Sequence, residues 1–99
     1  MFNEDQLEEI ELGIIEGIDV SWYAKPEFNW LQMYEIRDGL KRGVDVSIYA
    51  RPEFEGDQMA QIRWGLEWGL DVSIYAKPEF SCRQMREIRE RLWEEKNNV

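Results

Sequence analysis

The sequence contains no histidine and one cysteine, Cys82. Histidine is the commonest general base and zinc ligand in proteins, and a single cysteine cannot form a disulfide within the chain. A helix dipole would lower the pKa of the Cys82 thiol modestly, but no base is recognisable that would activate it. We therefore expect no enzyme, no catalytic residue, no metal site and no cofactor, and a reducing compartment.

Long apolar runs and an excess of basic residues are also absent. No run approaches the roughly 18 residues that span a bilayer, and the amino terminus is acidic, so neither a membrane segment nor a signal peptide is expected. The 12 Lys and Arg against 21 Asp and Glu give a net charge of −9. This charge disfavours direct binding to nucleic acid or anionic membranes and favours a protein partner with a basic surface. A cytoplasmic location is the default expectation.

The chain is dominated by an internal repeat. The string Val-Ser-Ile-Tyr-Ala-Lys-Pro-Glu-Phe occupies residues 72–80, and closely similar strings occupy residues 46–54 and 20–28, a period of 26 residues. A fixed period marks units that bury their apolar faces against one another. We predict an all-α fold of short helix-turn-helix repeats stacked as a small α-solenoid, with a compact helical bundle as the alternative. The single domain, 1–99, would comprise repeats 3–28, 29–54 and 55–80 and a capping helix, 81–96.

Each unit is predicted to begin with an amphipathic helix, as the stripe Met33, Ile36 and Leu40 shows for the second one. A capping residue three positions before a glutamine marks the start of the helix. These capping residues are Asn3, Asn29 and Ser81. Glu55 takes this place in the third repeat, so that helix is expected to start weakly, a residue or two late. The predicted helix-ending glycines are Gly17, Gly43 and Gly69.

The repeated pattern extends over Gln-Met-x-x-Ile-Arg-x-Gly-Leu-x-x-Gly-Leu-Asp-Val-Ser-Ile-Tyr-Ala-Lys-Pro-Glu-Phe. It resembles a short tandem repeat of uncharacterised proteins from gut bacteria, their phages and mobile elements, and the resemblance covers almost the whole chain. It implies no catalytic residue. A mobile-element setting implies an inhibitor or adaptor that acts on a host complex, for example an anti-defence or anti-CRISPR protein.

The recurring polar and aromatic residues are interpreted as structural. The tyrosines Tyr23, Tyr49 and Tyr75 are expected in the core between units. The repeated arginines are expected to pair with repeated glutamates as a ladder. The arginines are Arg37, Arg63 and Arg89, and the glutamates are Glu27, Glu53 and Glu79. At partly exposed sites such pairs contribute about 0–1 kcal/mol each.

Function is expected at positions that vary between units, because packing does not dictate them. Aromatic residues are concentrated there, and most project onto one helical face away from the core stripe. The predicted partner-binding residues are Trp30, Tyr34, Trp64, Trp68 and Trp93. Tryptophan and tyrosine are enriched in interaction hot spots. The alternatives are plain packing within the chain and a homodimer seam.

The first helix is acidic, and residues 1–19 contain no base. Its candidate residues for steering a partner are Glu4, Asp5, Glu8, Glu9 and Glu11. Three functions follow from these features. The first is a non-enzymatic protein–protein interaction module, the second an acidic mimic that blocks a DNA- or RNA-binding site, and the third a structural homo-oligomer.

Overall fold

The computed structural model describes residues 1–98; Val99, the last residue of the predicted domain, lies outside them. Four α-helices are formed: α1 (Glu4–Ile15), α2 (Trp30–Lys41), α3 (Gly56–Glu67) and α4 (Cys82–Asn97). Three short 3₁₀ helices, Val20–Trp22, Val46–Ile48 and Val72–Ile74, lie between them. No strand occurs among these residues. The protein is therefore all-α, as predicted.

The repeated glutamine begins each helix, and in the first three units it also binds the backbone that leads into the next helix. In α1, Asn3 Oδ1 accepts from Gln6 N at 2.8 Å, and Gln6 Oε1 accepts from Asn3 N at 2.9 Å. The same Gln6 side chain donates from Nε2 to the carbonyl of Phe28 at 2.6 Å. Gln32 and Gln58 repeat this bond one and two units later. The capping boxes were predicted from the sequence; the bond to the backbone at the end of the same unit was not.

The third helix starts in register with the others. α3 begins at Gly56, 26 residues after the start of α2 at Trp30. Gln58 Oε1 accepts from Glu55 N at 2.7 Å, and Gln58 Nε2 donates to the carbonyl of Phe80 at 2.6 Å. The expected late start was wrong, because these two bonds fix the first turn although Glu55 is a poor capping residue.

Each of the first three helices ends at a left-handed glycine. The φ angles of Gly17, Gly43 and Gly69 are 74°, 76° and 73°. Such angles are strained for residues with a Cβ, so these glycines end the helices as predicted. An aspartate then caps the 3₁₀ helix, since Asp19 Oδ1 accepts from Ser21 N at 3.1 Å.

The tyrosine of each 3₁₀ segment packs against the helix before it. Tyr23 is fully buried, and its hydroxyl donates to the carbonyl of Glu9 at 2.7 Å. A Cβ on Gly13 would overlap this hydroxyl, and Gly39 and Gly65 leave the same space for the next two tyrosines. Burial raises the pKa of Tyr23 to about 12, so the hydroxyl stays protonated and donates. In α4 the residue at the glycine position is Arg91.

The helices pack in sequence order, α1 on α2, α2 on α3 and α3 on α4. The core between them combines the apolar stripes of the helices, the tyrosines, and the phenylalanines that stand just before the next helix, such as Phe28 and Phe54. Its fully buried members include Tyr23, Phe28, Met33, Ile36, Tyr49, Phe54, Met59, Ile62, Tyr75 and Met85. In the described residues no helix is both long and apolar enough to cross a membrane.

We predict that Ile62→Ala lowers the free energy of unfolding by about 2–5 kcal/mol, because it leaves a cavity in the core of so small a domain. Ile62 is fully buried. Ile74→Ala is the control, since Ile74 is exposed, and it should change stability by less than about 0.5 kcal/mol. Urea denaturation followed by circular dichroism measures both. Equal losses for the two variants would contradict this assignment of the core.

Candidate interaction surface

A ladder of buried arginines joins neighbouring helices. Arg37 Nε on α2 lies 2.8 Å from Glu9 Oε2 on α1, and Arg63 Nε on α3 lies 2.8 Å from Glu35 Oε1 on α2. These are not the predicted partners. The expected glutamates Glu27, Glu53 and Glu79 are exposed, and the predicted pairing with the ladder arginines is wrong. Glu9 and Glu35 recur with the repeat period, which is the one signal of these positions in the sequence, but the period does not show which arginine each of them contacts.

Further carboxylates surround the first two arginines of the ladder. Glu16 accepts from Arg37 Nη1 at 2.8 Å, and this hydrogen bond, with a second from Lys41, lowers the pKa of Glu16. Around Arg63, the Nη1 atom lies 3.4 Å from Asp38 Oδ2 and also pairs with Glu67. Each of these guanidinium groups is therefore neutralised by carboxylates on two or more sides.

Burial works against the charge of Glu35, whose side chain is 8% exposed. Desolvation is the largest influence and raises the pKa of Glu35, although the hydrogen bond from Arg63 acts in the opposite direction. The carboxylate thus depends on the guanidinium of Arg63 for its charged state.

The third interface, between α3 and α4, departs from this pattern. Arg89 on α4 donates from Nε to Gln61 Oε1 at 2.9 Å, so a neutral amide replaces the ladder glutamate. The positions that supply carboxylates at the other interfaces are also changed. Repeat register places Trp64 where α2 has Asp38, Trp68 where α1 has Glu16, and Trp93 where α3 has Glu67.

Two of these tryptophans pack against Arg89, and the third packs against one of those two. Its guanidinium carbon lies 4.5 Å from the ring centroid of Trp68 and 5.3 Å from that of Trp64. Trp68 in turn contacts Trp93, with ring centroids 4.9 Å apart. We call Trp64, Trp68, Trp93 and Arg89 the tryptophan cluster. Trp64 and Trp93 are exposed and Trp68 is half-buried.

A shallow groove of about 480 Å³ runs over the cluster. It is lined by Trp64, Glu67, Trp68, Arg89 and Glu90. Of the acidic residues in the groove, Glu67 is paired within the fold. Glu67 lies 3.2 Å from Arg42, and Arg42 lies 3.1 Å from Asp38.

The other two predicted aromatic residues lie on α2. Trp30 is exposed and lines a separate depression with Asp5, Glu8 and Glu9. Tyr34 is exposed, and the guanidinium carbon of Arg37 lies 5.4 Å from its ring centroid. The aromatic residues thus divide between the α1–α2 side and the tryptophan cluster.

The predicted acidic residues also differ in exposure. Glu4, Asp5, Glu8 and Glu11 are exposed on α1. Glu9 is buried, and its carboxylate is held by Arg37 in the ladder. Four of the five carboxylates are therefore available to a partner at the surface.

Cys82 differs from expectation. Its Sγ lies 3.7 Å from the carbonyl of Asp57, and burial raises the pKa of the thiol rather than lowering it as the helix dipole would. Among residues 1–98 no group of three or more potential ligands could hold a metal ion.

We predict that Arg63→Met lowers the free energy of unfolding by about 3–5 kcal/mol at neutral pH, because it leaves the buried Glu35 carboxylate without a counter-charge. Arg83→Met is the control. Arg83 makes an exposed pair with Glu87, so its loss should cost less than about 1 kcal/mol.

The deficit of Arg63→Met should depend on pH. Without Arg63, the pKa of Glu35 in the folded state rises further above its ordinary value of 4.5. Between these two pKa values the folded state binds more protons than the unfolded state, so the variant loses stability as pH rises through this window. Urea denaturation at pH 4 and pH 7 should show the smaller deficit at pH 4. The same deficit at both pH values would contradict the dependence of Glu35 on Arg63.

No protein-family model, curated protein sequence or solved structure matches this chain.

Proposed function

We propose that this chain is a non-catalytic protein-binding module whose main contact surface is the tryptophan cluster. The observation that carries the proposal is the exposure of Trp64 and Trp93, each 39% accessible, beside the groove between α3 and α4. Tryptophan and arginine are the residues that dominate protein–protein binding energy. An exposed group of this kind is a favourable site for a partner to cover.

The fold itself does not require tryptophan at these positions. In the same repeat register the first interface carries Leu12, Glu16 and Lys41, and the second carries Asp38, Arg42 and Glu67. Neither of them has an aromatic residue at these positions, and both pack the same core. A change to three tryptophans at only one interface is difficult to explain by packing. It is readily explained by selection for binding at that place.

We propose further that the units are stacked as a short α-solenoid. The Cα radius of gyration is 14.0 Å, and the extents are 47 × 26 × 16 Å. A compact domain of 100 residues has a radius of gyration of about 13 Å, so the molecule is somewhat elongated. Sequence-order packing of the helices supports the same arrangement. Stacking would expose one side of successive helices as a continuous face.

The acidic helix α1 would act together with the tryptophan cluster in binding the partner. Glu4, Asp5, Glu8 and Glu11 are exposed on α1, whose described residues include no base. Such a surface would attract a basic region of the partner and raise the rate of association. In the setting that the sequence resemblance implies, the partner would belong to a bacterial host complex.

Capture from host lysate tests the proposal. Tagged wild-type protein should retain one partner in stoichiometric amount, and Trp64→Ala/Trp68→Ala should lose it, because both rings line the groove. The control is Trp22→Ala/Ile74→Ala, which removes two exposed apolar side chains elsewhere. Circular dichroism establishes that all three proteins are folded, and mass spectrometry identifies what is retained.

The competing functions give different results in the same assay. For a nucleic-acid mimic, the captured partner would be lost at high salt and on neutralising Glu4, Asp5, Glu8 and Glu11, but not on changing the tryptophans. For a structural homo-oligomer, the chain would retain only itself, and its mass in solution would rise with concentration. Either result would refute the tryptophan cluster as the surface for a foreign partner.

A further inference from the structure

We propose that the groove at the tryptophan cluster recognises a carboxylate, supplied by an aspartate or glutamate side chain of the partner protein. The carboxylate would accept hydrogen bonds from the guanidinium of Arg89, and the apolar part of the partner segment would lie against Trp64 and Trp68. This inference rests on the proposed function and specifies the chemistry of its contact surface.

Arg89 is buried, but part of its guanidinium is unpaired. The residue is 6% exposed, and its only hydrogen bond within residues 1–98 runs from Nε to Gln61. No enclosed side-chain nitrogen in this part of the chain lacks a partner, so the two Nη atoms must reach solvent. Arg89 lines the groove, and we infer that its free donors are accessible from there.

The other two ladder arginines show what is missing. Arg37 is paired with Glu9 and Glu16, and Arg63 with Glu35, Asp38 and Glu67. Among the described residues Arg89 makes no ion pair within 4.0 Å. A buried charge without a counter-ion is costly, and a guanidinium binds a carboxylate through two parallel hydrogen bonds. The fold thus retains the cation and lacks its anion.

The tryptophans stabilise the cation without occupying its donors. A guanidinium over an aromatic face is attracted by the electrons of the ring, and the interaction uses the face of the cation rather than its N–H groups. The edge of Arg89 remains free to bind an anion. The surrounding rings exclude water on their side, which would strengthen such a bond.

The acidic residues of the groove do not replace the missing anion. Glu67 is already paired with Arg63 and Arg42. Glu90 is exposed and makes no ion pair in the part of the chain that the structure describes. Its negative charge opposes an incoming carboxylate, so Glu90→Gln should strengthen carboxylate binding.

Three small probes of the same shape test the recognition. They are 3-phenylpropionate, the neutral 3-phenylpropanamide and the cationic 3-phenylpropylamine. Titration followed by the indole N–H signals of the tryptophans in NMR spectra reports binding at the groove. The carboxylate should bind about tenfold more tightly than the amide. A hydrogen bond from the guanidinium to a charged acceptor is stronger than one to a neutral acceptor by about that factor. Equal binding of carboxylate and amide, or a preference for the amine, would overturn the inference.

A variant that supplies the missing carboxylate within the chain avoids the loss of stability that removing Arg89 would cause. Gln61→Glu restores at the third interface the glutamate that the other two interfaces have, and should neutralise Arg89 within the fold. The variant should remain folded, and the preference for carboxylate over amide should fall to less than about twofold. Arg86→Gln is the control, because it removes an exposed positive charge that does not line the groove. A preference that survives Gln61→Glu, or is lost in Arg86→Gln, would show that Arg89 is not the receptor.

The probe titration and the capture experiment test different claims, so either claim can be refuted without the other. A partner that is captured through the tryptophans, without any carboxylate preference in the probes, would leave the proposed function intact and refute only this inference. Conversely, a groove that prefers the carboxylate and captures no protein would refute the proposed function and the assignment of the carboxylate to a partner protein.

Discussion

The hydrogen bonds of one glutamine per unit hold the architecture together. The amide of Gln32 closes the start of its own helix through Asn29, and its nitrogen binds the carbonyl of Phe54 at the end of the same unit. The start of one helix is thereby tied to the backbone that leads into the next. A local cap and a long-range contact depend on the same side chain, so neither can shift without the other. The same arrangement recurs at each unit, and each helix starts 26 residues after the one before.

Local features of the fold were predictable from the sequence, and contacts between units were not. Caps, left-handed glycines and the apolar stripe are set by residues within a few positions of one another, so their spacing is visible in the chain. The partner of Arg37 is 28 residues away, at Glu9. Periodicity shows that both positions recur, but it does not show that they touch. The nearer and more regular Glu27 was therefore chosen incorrectly.

The role of Gly13 was missed for the same reason. Within a helix, glycine is unfavourable by about 1 kcal/mol relative to alanine, and no local benefit is visible in the sequence. The benefit comes from Tyr23, whose hydroxyl occupies the space that a Cβ would fill. For the candidate site, the variable aromatic positions could be identified in advance. The packing of Trp64 and Trp68 against a ladder arginine could not be predicted, because the correct ladder was not known.

Arg91 limits the addition of a further unit after α4. It stands where the other three helices have glycine, so α4 has no space for a tyrosine from a further unit. The tyrosine of a unit added after α4 would lack the space above a helix glycine that Tyr23, Tyr49 and Tyr75 occupy. A unit inserted before α4 would not meet this obstacle, because Gly13, Gly39 and Gly65 leave space for the tyrosines that follow them. Duplication of an internal unit would then lengthen the chain while keeping α3 next to α4, and with them the tryptophan cluster.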